Sequence, residues 1–223
     1  MPARKRKTQA ERSATTRERL LEAAIDCIVE HGYARTTTTM IARRARLTRG
    51  AQLHHFGNRE QLIHAAISHL FERGLADFAA AFSIVPAGVD QNDAAIELAW
   101  NFFDGRMATA WIEILVAARR DSKLHKAVAE GGAKMNAELL KFGSSYSSLP
   151  LDEFAVSQTF EAALMIGLAV IGMNAPPDVF RAASTAVLEV LKEFIWSLAK
   201  DRALLRRALD RTSRRTIKGV RAR

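Results

Sequence analysis

The sequence predicts an all-α protein, with a three-helix helix-turn-helix domain at the N-terminus and a larger helical domain after it, about nine helices in total. Apolar residues recur at intervals of three and four along the chain, which is the repeat of one face of an α-helix. No segment alternates between apolar and polar residues as a half-buried strand does. Near the N-terminus the second and third of three short helical patterns are joined by a tight turn, which is the plan of a helix-turn-helix.

The first three helices are predicted from their apolar faces and their caps. The first runs from about Thr16 to His31, and Gly32 is a fitting stop for it. The threonines at 36–39 are N-cap candidates for a second helix of two turns. Thr48 caps a third short helix that ends at about Phe56.

The fourth helix is long, and further helices follow it. Asn58 with Gln61 three residues later resembles a capping box, and an apolar stripe then continues to about Ser83. Glycine, proline and Asp-Ser signals separate the remaining helical patterns. These patterns cover about 93–103, 108–120, 122–142, 152–173 and 178–198.

Charge is distributed in blocks along the 223 residues, whose formal net charge is +9. Residues 1–12 carry +4 and residues 13–73 carry +3, whereas residues 74–199 carry −6 and residues 200–223 carry +8. Basic ends around an acidic middle favour a nucleic acid as the partner of the N-terminal part. No role for the basic tail follows from the sequence.

Cysteine usage and hydropathy indicate the compartment. Cys27 is the single cysteine, lies in an apolar helical pattern, and is predicted to be a small core residue. No segment reaches the roughly 18 uninterrupted apolar residues of a membrane span, and the polar N-terminus has no apolar stretch after it. We therefore expect a cytoplasmic, nucleoid-associated protein that does not bind membranes.

Four segments in a fixed order carry a family resemblance: 32–37 (GYARTT), 41–45 (IARRA), 47–51 (LTRGA) and 54–62 (HHFGNREQL). They resemble the DNA-binding domain of the TetR family of transcriptional regulators, over about Thr15 to Glu72. The later helices resemble the family only in number and layout. The resemblance implies a homodimer, a double-stranded DNA operator made of two inverted half-sites, and a small-molecule effector that releases the DNA.

Candidate DNA contacts come from both the pattern and the resemblance. The outward residues of the third helix include donors and acceptors for bases or phosphates, and Gly50 allows close approach of the backbone. The resemblance implies phosphate contacts at the start of the second helix and at the opening of the fourth. The resulting set is Thr37, Thr38, Arg44, Thr48, Arg49, Gly50, Gln52, His54, His55 and Arg59.

Two positions depart from the family pattern. Gln52 and Leu53 stand where the family has an apolar residue followed by Tyr, so the Tyr-to-phosphate contact does not transfer to Leu53. Gln52 either contacts a base or supports the helix from inside, and which of the two residues faces the DNA stays open. Arg46 replaces the customary turn glycine, which predicts a different or strained turn.

The predicted organisation has four parts. Residues 1–14 form a basic disordered arm, and residues 15–75 form the DNA-binding domain, with the helix-turn-helix at about 38–57. Residues 76–200 form a helical ligand-binding and dimerisation domain, and residues 201–223 form a basic tail. The arm is either inert or adds sequence-independent phosphate and minor-groove contacts, and we favour the second.

Two further sets of residues are predicted in the second domain. Most of its large apolar residues are expected to be ordinary core, and some to line a cavity for an apolar or aromatic effector. The pocket candidates are Trp100, Phe103, Arg106, Met107, Trp111 and Met165. Small and apolar residues on the last two helices suit a dimer seam of four helices. The seam candidates are Ala163, Gly167, Val187 and Leu191.

The sequence therefore favours a DNA-binding transcriptional regulator, a repressor released by a small apolar or aromatic ligand. The alternatives are an architectural DNA-binding protein without a ligand response and a small-molecule enzyme. No nucleophile–base–acid set, phosphate-binding loop or metal-ligand spacing is present in the sequence, so we expect no catalytic residues, metal or cofactor. The effector and the operator sequence do not follow from the sequence.

Overall fold

The computed structural model describes residues 8–211, and over this range the chain is helical, without a β-strand. The all-α prediction is confirmed. The helices are α1 (Gln9–His31), α2 (Thr38–Arg44), α3 (Arg49–His55), α4 (Arg59–Phe82), α5 (Gln91–Phe103), α6 (Arg106–Ala118), α7 (Ser122–Gly143), α8 (Leu151–Gly172), α9 (Pro177–Lys200) and α10 (203–211).

The first helix begins earlier than predicted. Thr8 is its N-cap: the Thr8 hydroxyl accepts from the backbone N–H of Glu11 at 3.2 Å, and the Glu11 carboxylate accepts from the N–H of Thr8 at 2.7 Å. This reciprocal capping box stabilises a helix start without any apolar residue. The predicted disordered arm is therefore wrong for residues 9–14, and residues 1–7 lie outside the described part of the chain.

The described chain divides into two compact units, each formed by two separate stretches. The first unit contains residues 8–76 and 105–135, and so combines α1–α3 with most of α4, with α6 and with the first half of α7. Cys27 is buried in it, as predicted, and burial raises the pKa of its thiol. The large, fully buried side chains of this unit are Leu20, Ile25, Ile28, Ile41, Leu62, Ile63, Ile67, Leu70, Ile114 and Leu124.

Helix α6 is tied to the first unit by polar contacts with α1 and the residues after it. Arg106, at the start of α6, forms ion pairs with Glu22 and Asp26 of α1. Further along α6, the Glu113 carboxylate accepts from the backbone N–H of Tyr33 at 3.3 Å. The first stretch of this unit ends at Ala76, next to the predicted domain limit at residue 75, and residues 105–135 join it. The functional assignment of the two domains stays a prediction.

The second unit contains residues 77–104 and 136–211. Its core is formed where α5, α8 and α9 pack together, with one residue from α10. The buried core residues are Ile96, Trp100, Met165, Leu168, Leu188, Leu191, Ile195, Leu198 and Leu205. The buried carboxylate of Glu153 accepts from Arg202 at 2.6 and 2.7 Å, which connects α8 to the segment before α10.

Helix α8 has 22 residues and includes an 18-residue window with a mean hydropathy of 1.7, so it meets the length and composition of a membrane span. Packing against the core of the second unit accounts for part of this composition. Met165 and Leu168 face the core, while Phe160, Val170 and Ile171 on other faces are exposed. Helix α8 thus has apolar residues on both its inner and its outer face. Glu161 is a charged residue within this apolar sequence.

Candidate nucleic-acid interface

The turn between α2 and α3 has a backbone that glycine usually occupies. Arg46 lies at φ 54°, in the left-handed region. The N–H of Arg46 donates to the Arg43 carbonyl at 3.0 Å and the N–H of Leu47 donates to the Ala42 carbonyl at 2.9 Å. These two bonds form a Schellman motif, in which the residue after the C-cap is left-handed. The unusual turn predicted from Arg46 is thus present.

Helix α3 begins on an exposed surface. The hydroxyl of Thr48 accepts from the N–H of Ala51 at 3.1 Å and so caps the helix. Thr48, Arg49 and Gly50 are exposed. A Cβ atom on Gly50 would lie 3.8 Å from its nearest neighbour, the Thr48 hydroxyl, so packing within the chain does not require a glycine there.

Gln52 is not exposed on α3, and the prediction that it contacts DNA is wrong for this structure. Its side chain is 0% exposed, and its Nε2 donates to the carbonyl of Phe56 at 2.8 Å. Phe56 is buried as well. Phe56 is the C-cap of α3, four positions after Gln52, and the burial of both marks the inner side of the helix. The alternative of a supporting role from inside is the one that the structure shows.

The outer face of α3 is formed by the neighbours of Gln52. Leu53 is 46% exposed, His54 is exposed and His55 is half-buried. The rings of His54 and His55 meet edge to face, with centroids 5.4 Å apart. Leu53 offers a methyl-bearing surface rather than a hydrogen bond, which suits contact with a thymine methyl group.

Two threonines lie at the start of α2. Thr37 is exposed, and its hydroxyl accepts from the N–H of Met40 at 3.3 Å, so it is the N-cap. Thr38 follows it and is half-buried. Free backbone N–H groups and hydroxyls at a helix start are suited to phosphate oxygens, so both remain candidate phosphate contacts.

Arg59 has internal partners at the start of α4. Its Nε donates to the carbonyl of Thr36 at 2.9 Å and its Nη2 donates to the carbonyl of Tyr33 at 2.7 Å. The guanidinium also lies 4.4 Å from the centre of the Tyr33 ring. These contacts fix the connection between α1 and α2, a role that differs from the phosphate contact implied by the resemblance.

Arg44 is also engaged within the protein. Its Nε donates to Asp26 at 3.0 Å and its Nη1 donates to Glu30, both on α1. The hydrogen bonds to Glu30 and Asp26 raise the pKa of Arg44 above its ordinary value. A phosphate would have to compete with these two carboxylates, so the structure does not present Arg44 as a free cation.

The predicted effector residues fall in two different compact units. Trp100, Phe103 and Met165 belong to the second unit, where Trp100 and Met165 are core residues and Phe103 packs against them. Arg106, Met107 and Trp111 belong to the first unit. Trp111 packs edge to face on Phe71, with centroids 4.6 Å apart, and Arg106 is engaged with α1. Apolar periodicity marks buried residues but does not assign them to one core.

The predicted seam residues also separate. Ala163 and Gly167 are exposed on α8, whereas Leu191 is only 2% exposed in the core of its own unit and Val187 packs against that core. The prediction of Leu191 at a seam is therefore wrong, because its side chain is already covered. Over residues 8–211 the structure assembles no group of three or more His, Cys, Asp or Glu side chains suited to a metal.

Comparisons with known proteins agree with this architecture. Residues 20–66 match the family model for bacterial regulatory proteins of the tetR family. A helix-turn-helix (HTH)-type transcriptional regulator of Mycobacterium tuberculosis is 30% identical over 154 residues, covering 69% of this chain and 77% of that protein. The HTH-type transcriptional regulator CymR of Pseudomonas putida is 31% identical over 124 residues, covering 56% and 61%.

Solved structures share the fold. GusR of Salmonella enterica superposes with a TM-score of 0.63 at 20% identity, covering 83% of this chain and 96% of that chain. A TetR-family regulator from Rhodococcus superposes with a TM-score of 0.59 at 19% identity, covering 79% and 98%.

A helix-turn-helix whose second helix, α3, is exposed on one side is the arrangement of a DNA-binding transcriptional regulator. The similarity to the mycobacterial regulator extends well beyond the helix-turn-helix, over 69% of this chain. The chain belongs to the TetR family of bacterial transcriptional regulators. Proteins of this class are soluble and cytoplasmic.

Proposed function

We propose that the protein is a homodimeric repressor that binds a pseudo-palindromic operator through α3 and leaves it when a small molecule binds the second unit. DNA binding would place it at the nucleoid. The observation that carries the proposal is the division of α3 into two faces. Gln52 and Phe56 are buried, while Arg49, Gly50, Leu53 and His54 are exposed.

Each exposed residue of α3 has a chemistry suited to the major groove. Arg49 can donate two hydrogen bonds to the O6 and N7 of guanine. His54 can donate or accept, depending on its tautomer. Gly50 leaves the helix backbone open to close approach, and Leu53 can contact a thymine methyl group. Two such helices in a dimer would lie about 34–36 Å apart, one turn of B-DNA.

Selection of bound sequences from random double-stranded DNA tests the operator. We expect an inverted repeat with half-sites about 10 base pairs apart, centre to centre. Arg49→Ala should cost about 1–3 kcal/mol and relax the preference at one base of each half-site. Arg181→Ala, which removes an exposed charge from α9, is the matched control and should leave both properties unchanged. Equal behaviour of the two variants would contradict the assignment of α3.

The dimer is proposed to form through α8 and α9, on the side away from their own core. Phe160 of α8 and Phe194 of α9 are both exposed, and their ring centroids are 5.1 Å apart, so the two helices share one outer apolar face. Val190, 69% exposed, lies on that face one turn before Phe194. A Cβ atom on the exposed Gly167 would meet nothing within 4 Å, which leaves room for a partner helix.

An exposed apolar face of this kind is typical of a surface that pairs with a second copy. Val190→Glu should convert a dimer into a monomer at micromolar concentration, as measured by sedimentation velocity. Ile84→Glu is the control, because Ile84 is exposed but lies before α5, outside this face. A monomeric wild-type protein would contradict the proposed seam.

An architectural protein without a ligand response is the alternative. It predicts that no small molecule changes operator affinity. A repressor predicts an effector that weakens operator binding, which requires only a different affinity of the effector for the two states.

A further inference from the structure

A cavity in the second unit is lined by an acidic side chain that has no basic partner among the described residues. It lies between α5, the 144–150 connection, α8 and α9. Its walls combine two aromatic rings, Tyr146 and Phe154, with the aliphatic side chains of Ile96 and Ile195. The carboxyl of Glu161 opens onto it, and the residue is half-buried.

Glu161 has one polar partner in this cavity. The hydroxyl of Ser157, one turn earlier on α8, donates to Oε1 of Glu161 at 3.0 Å. Among the residues that the structure describes, no Lys, Arg or His side chain forms an ion pair with Glu161, and none contributes to its pKa. Burial raises the pKa of Glu161 to about 7.

Glu153 on the same helix shows how this fold stabilises a buried carboxylate when no ligand is involved. It is 3% exposed and accepts two hydrogen bonds from Arg202, at 2.6 and 2.7 Å, with Arg206 next to it at 3.4 Å. The hydrogen bond from Arg202 lowers the pKa of Glu153. Glu161, two turns further along α8, faces aromatic and aliphatic groups instead of arginines.

We propose that this cavity is the effector site and that its occupant is an organic cation with an apolar or aromatic body. The cation would pair with the Glu161 carboxylate, lie against the rings of Tyr146 and Phe154, and bury its body among the aliphatic side chains. A cation restores the pairing that Glu161 lacks, which a neutral ligand of the same shape does not do. The proposal rests on the proposed function, because it names the class of effector for that response.

In this structure the pocket is smaller than an organic cation. The free space in it is about 20 Å³, room for about one water molecule. Tyr146 and the residues up to Leu149 form one wall of the cavity and belong to a connection rather than a helix. An organic cation would therefore enter by displacing this wall.

Ring contacts connect Tyr146 to the last turn of α4. The Tyr146 ring lies 5.0 Å from the ring of Phe82, in the last turn of α4, and 5.7 Å from Phe142 at the end of α7. Phe82 packs in turn on Phe142 at 4.9 Å. Movement of Tyr146 would repack the end of α4, the helix whose first residue, Arg59, follows α3.

A matched pair of probes tests the class of ligand. Phenyltrimethylammonium is a permanent cation, and tert-butylbenzene is its neutral isostere. We expect calorimetry at pH 8 to give at least tenfold tighter binding of the cation by the wild-type protein. Glu161→Gln should lose that preference and keep its affinity for tert-butylbenzene. Glu193→Gln, an exposed carboxyl on α9, is the control and should behave as the wild type.

The pH dependence gives a second measurement on the wild-type protein alone. Tyr146 and Glu161 are the titratable groups that line the cavity, since α5 and α9 present only Asn92 and apolar residues to it. Burial raises the pKa of the Tyr146 phenol, so it stays neutral. Protonation of Glu161 around pH 7 should weaken cation binding about tenfold between pH 8 and pH 6, and leave the neutral isostere unaffected.

The results of these experiments distinguish failure of the cation site at Glu161 from failure of the proposed ligand-induced release from the operator. Equal affinity for both probes, or an unchanged preference in Glu161→Gln, would overturn the cation site. If that variant does not fold, a cation affinity independent of pH would overturn it. Tight, Glu161-dependent cation binding with unchanged operator affinity would support the site and contradict the ligand response. Operator release by another compound, with no cation binding, would support the response and overturn the site.

Discussion

The N–H of Leu47 donates to the carbonyl of Ala42 at 2.9 Å, and this bond closes the turn that joins α2 to α3. It forms because Arg46, between them, adopts φ 54°. A left-handed backbone places the Cβ atom of an L-residue close to a carbonyl oxygen and costs roughly 1–2 kcal/mol. The chain thus accepts local strain immediately before the helix that we assign to the operator.

Arg46→Gly should relieve this strain. Glycine adopts the left-handed region without a Cβ clash but loses more conformational entropy on folding, so the net gain in the free energy of unfolding should be about 0.5–1 kcal/mol. Urea denaturation measures it. Arg46→Ala is the control, since it removes the charge and keeps the Cβ atom. Equal stability of the two variants would show that the backbone is not strained.

Gly50→Ala should have opposite effects on stability and on DNA binding. Alanine favours the helical state by about 0.8–1.0 kcal/mol over glycine, and its methyl group has open space on α3. The same methyl group would hold the backbone away from DNA, so operator affinity should fall at least tenfold. Gly132→Ala on α7, where a Cβ atom meets nothing within 4 Å, should gain stability only. An unchanged operator affinity in Gly50→Ala would remove the argument for close backbone approach.

A variant of Arg59 can distinguish a structural role for this residue from a contact with DNA phosphate. Arg59→Lys keeps the charge but cannot donate to the carbonyls of both Thr36 and Tyr33 while stacking on the Tyr33 ring. We expect a loss of about 1–3 kcal/mol of stability, measured by chemical denaturation. Arg43→Lys, at an exposed position of α2, should change little. A fully stable Arg59→Lys variant would favour the phosphate contact instead.

Local sequence patterns predicted the helices but not which residues of α3 face inward and which face outward. Caps and apolar spacing placed α2 through α9 because these signals act within one or two turns. Helix α3 has only seven residues, so its periodicity barely repeats, and Gln52 is polar although it lies on the inner face. The signal available was its spacing of four from the apolar Phe56, which places both on one side.

Tertiary relations were the part that the sequence could not predict. Val190 and Leu191 are adjacent and both aliphatic, yet one is 69% and the other 2% exposed. Helix α9 is apolar on an inner and an outer face, so periodicity alone cannot distinguish core from seam. Likewise Arg106 pairs with Glu22, 84 residues earlier, and no local pattern connects α6 to α1.

Glu161 should make the stability of the protein fall as the pH rises. Burial raises its pKa from 4.5 to about 7, so the folded state binds the proton more tightly than the unfolded state. This contribution is fully present below about pH 4.5 and is lost as the pH rises through 7. At about 1.4 kcal/mol per pKa unit, the loss amounts to about 3 kcal/mol.

Glu161→Gln should therefore be more stable than the wild type at pH 8, and the difference should shrink toward pH 5. Urea denaturation at several pH values measures it. Glu153→Gln should show the opposite sign, because the hydrogen bond from Arg202 lowers the pKa of Glu153 and stabilises the protein at neutral pH. A constant difference between Glu161→Gln and the wild type across this range would mean that Glu161 is solvated or paired in the folded protein, and would also remove the physical basis for a cation at this site.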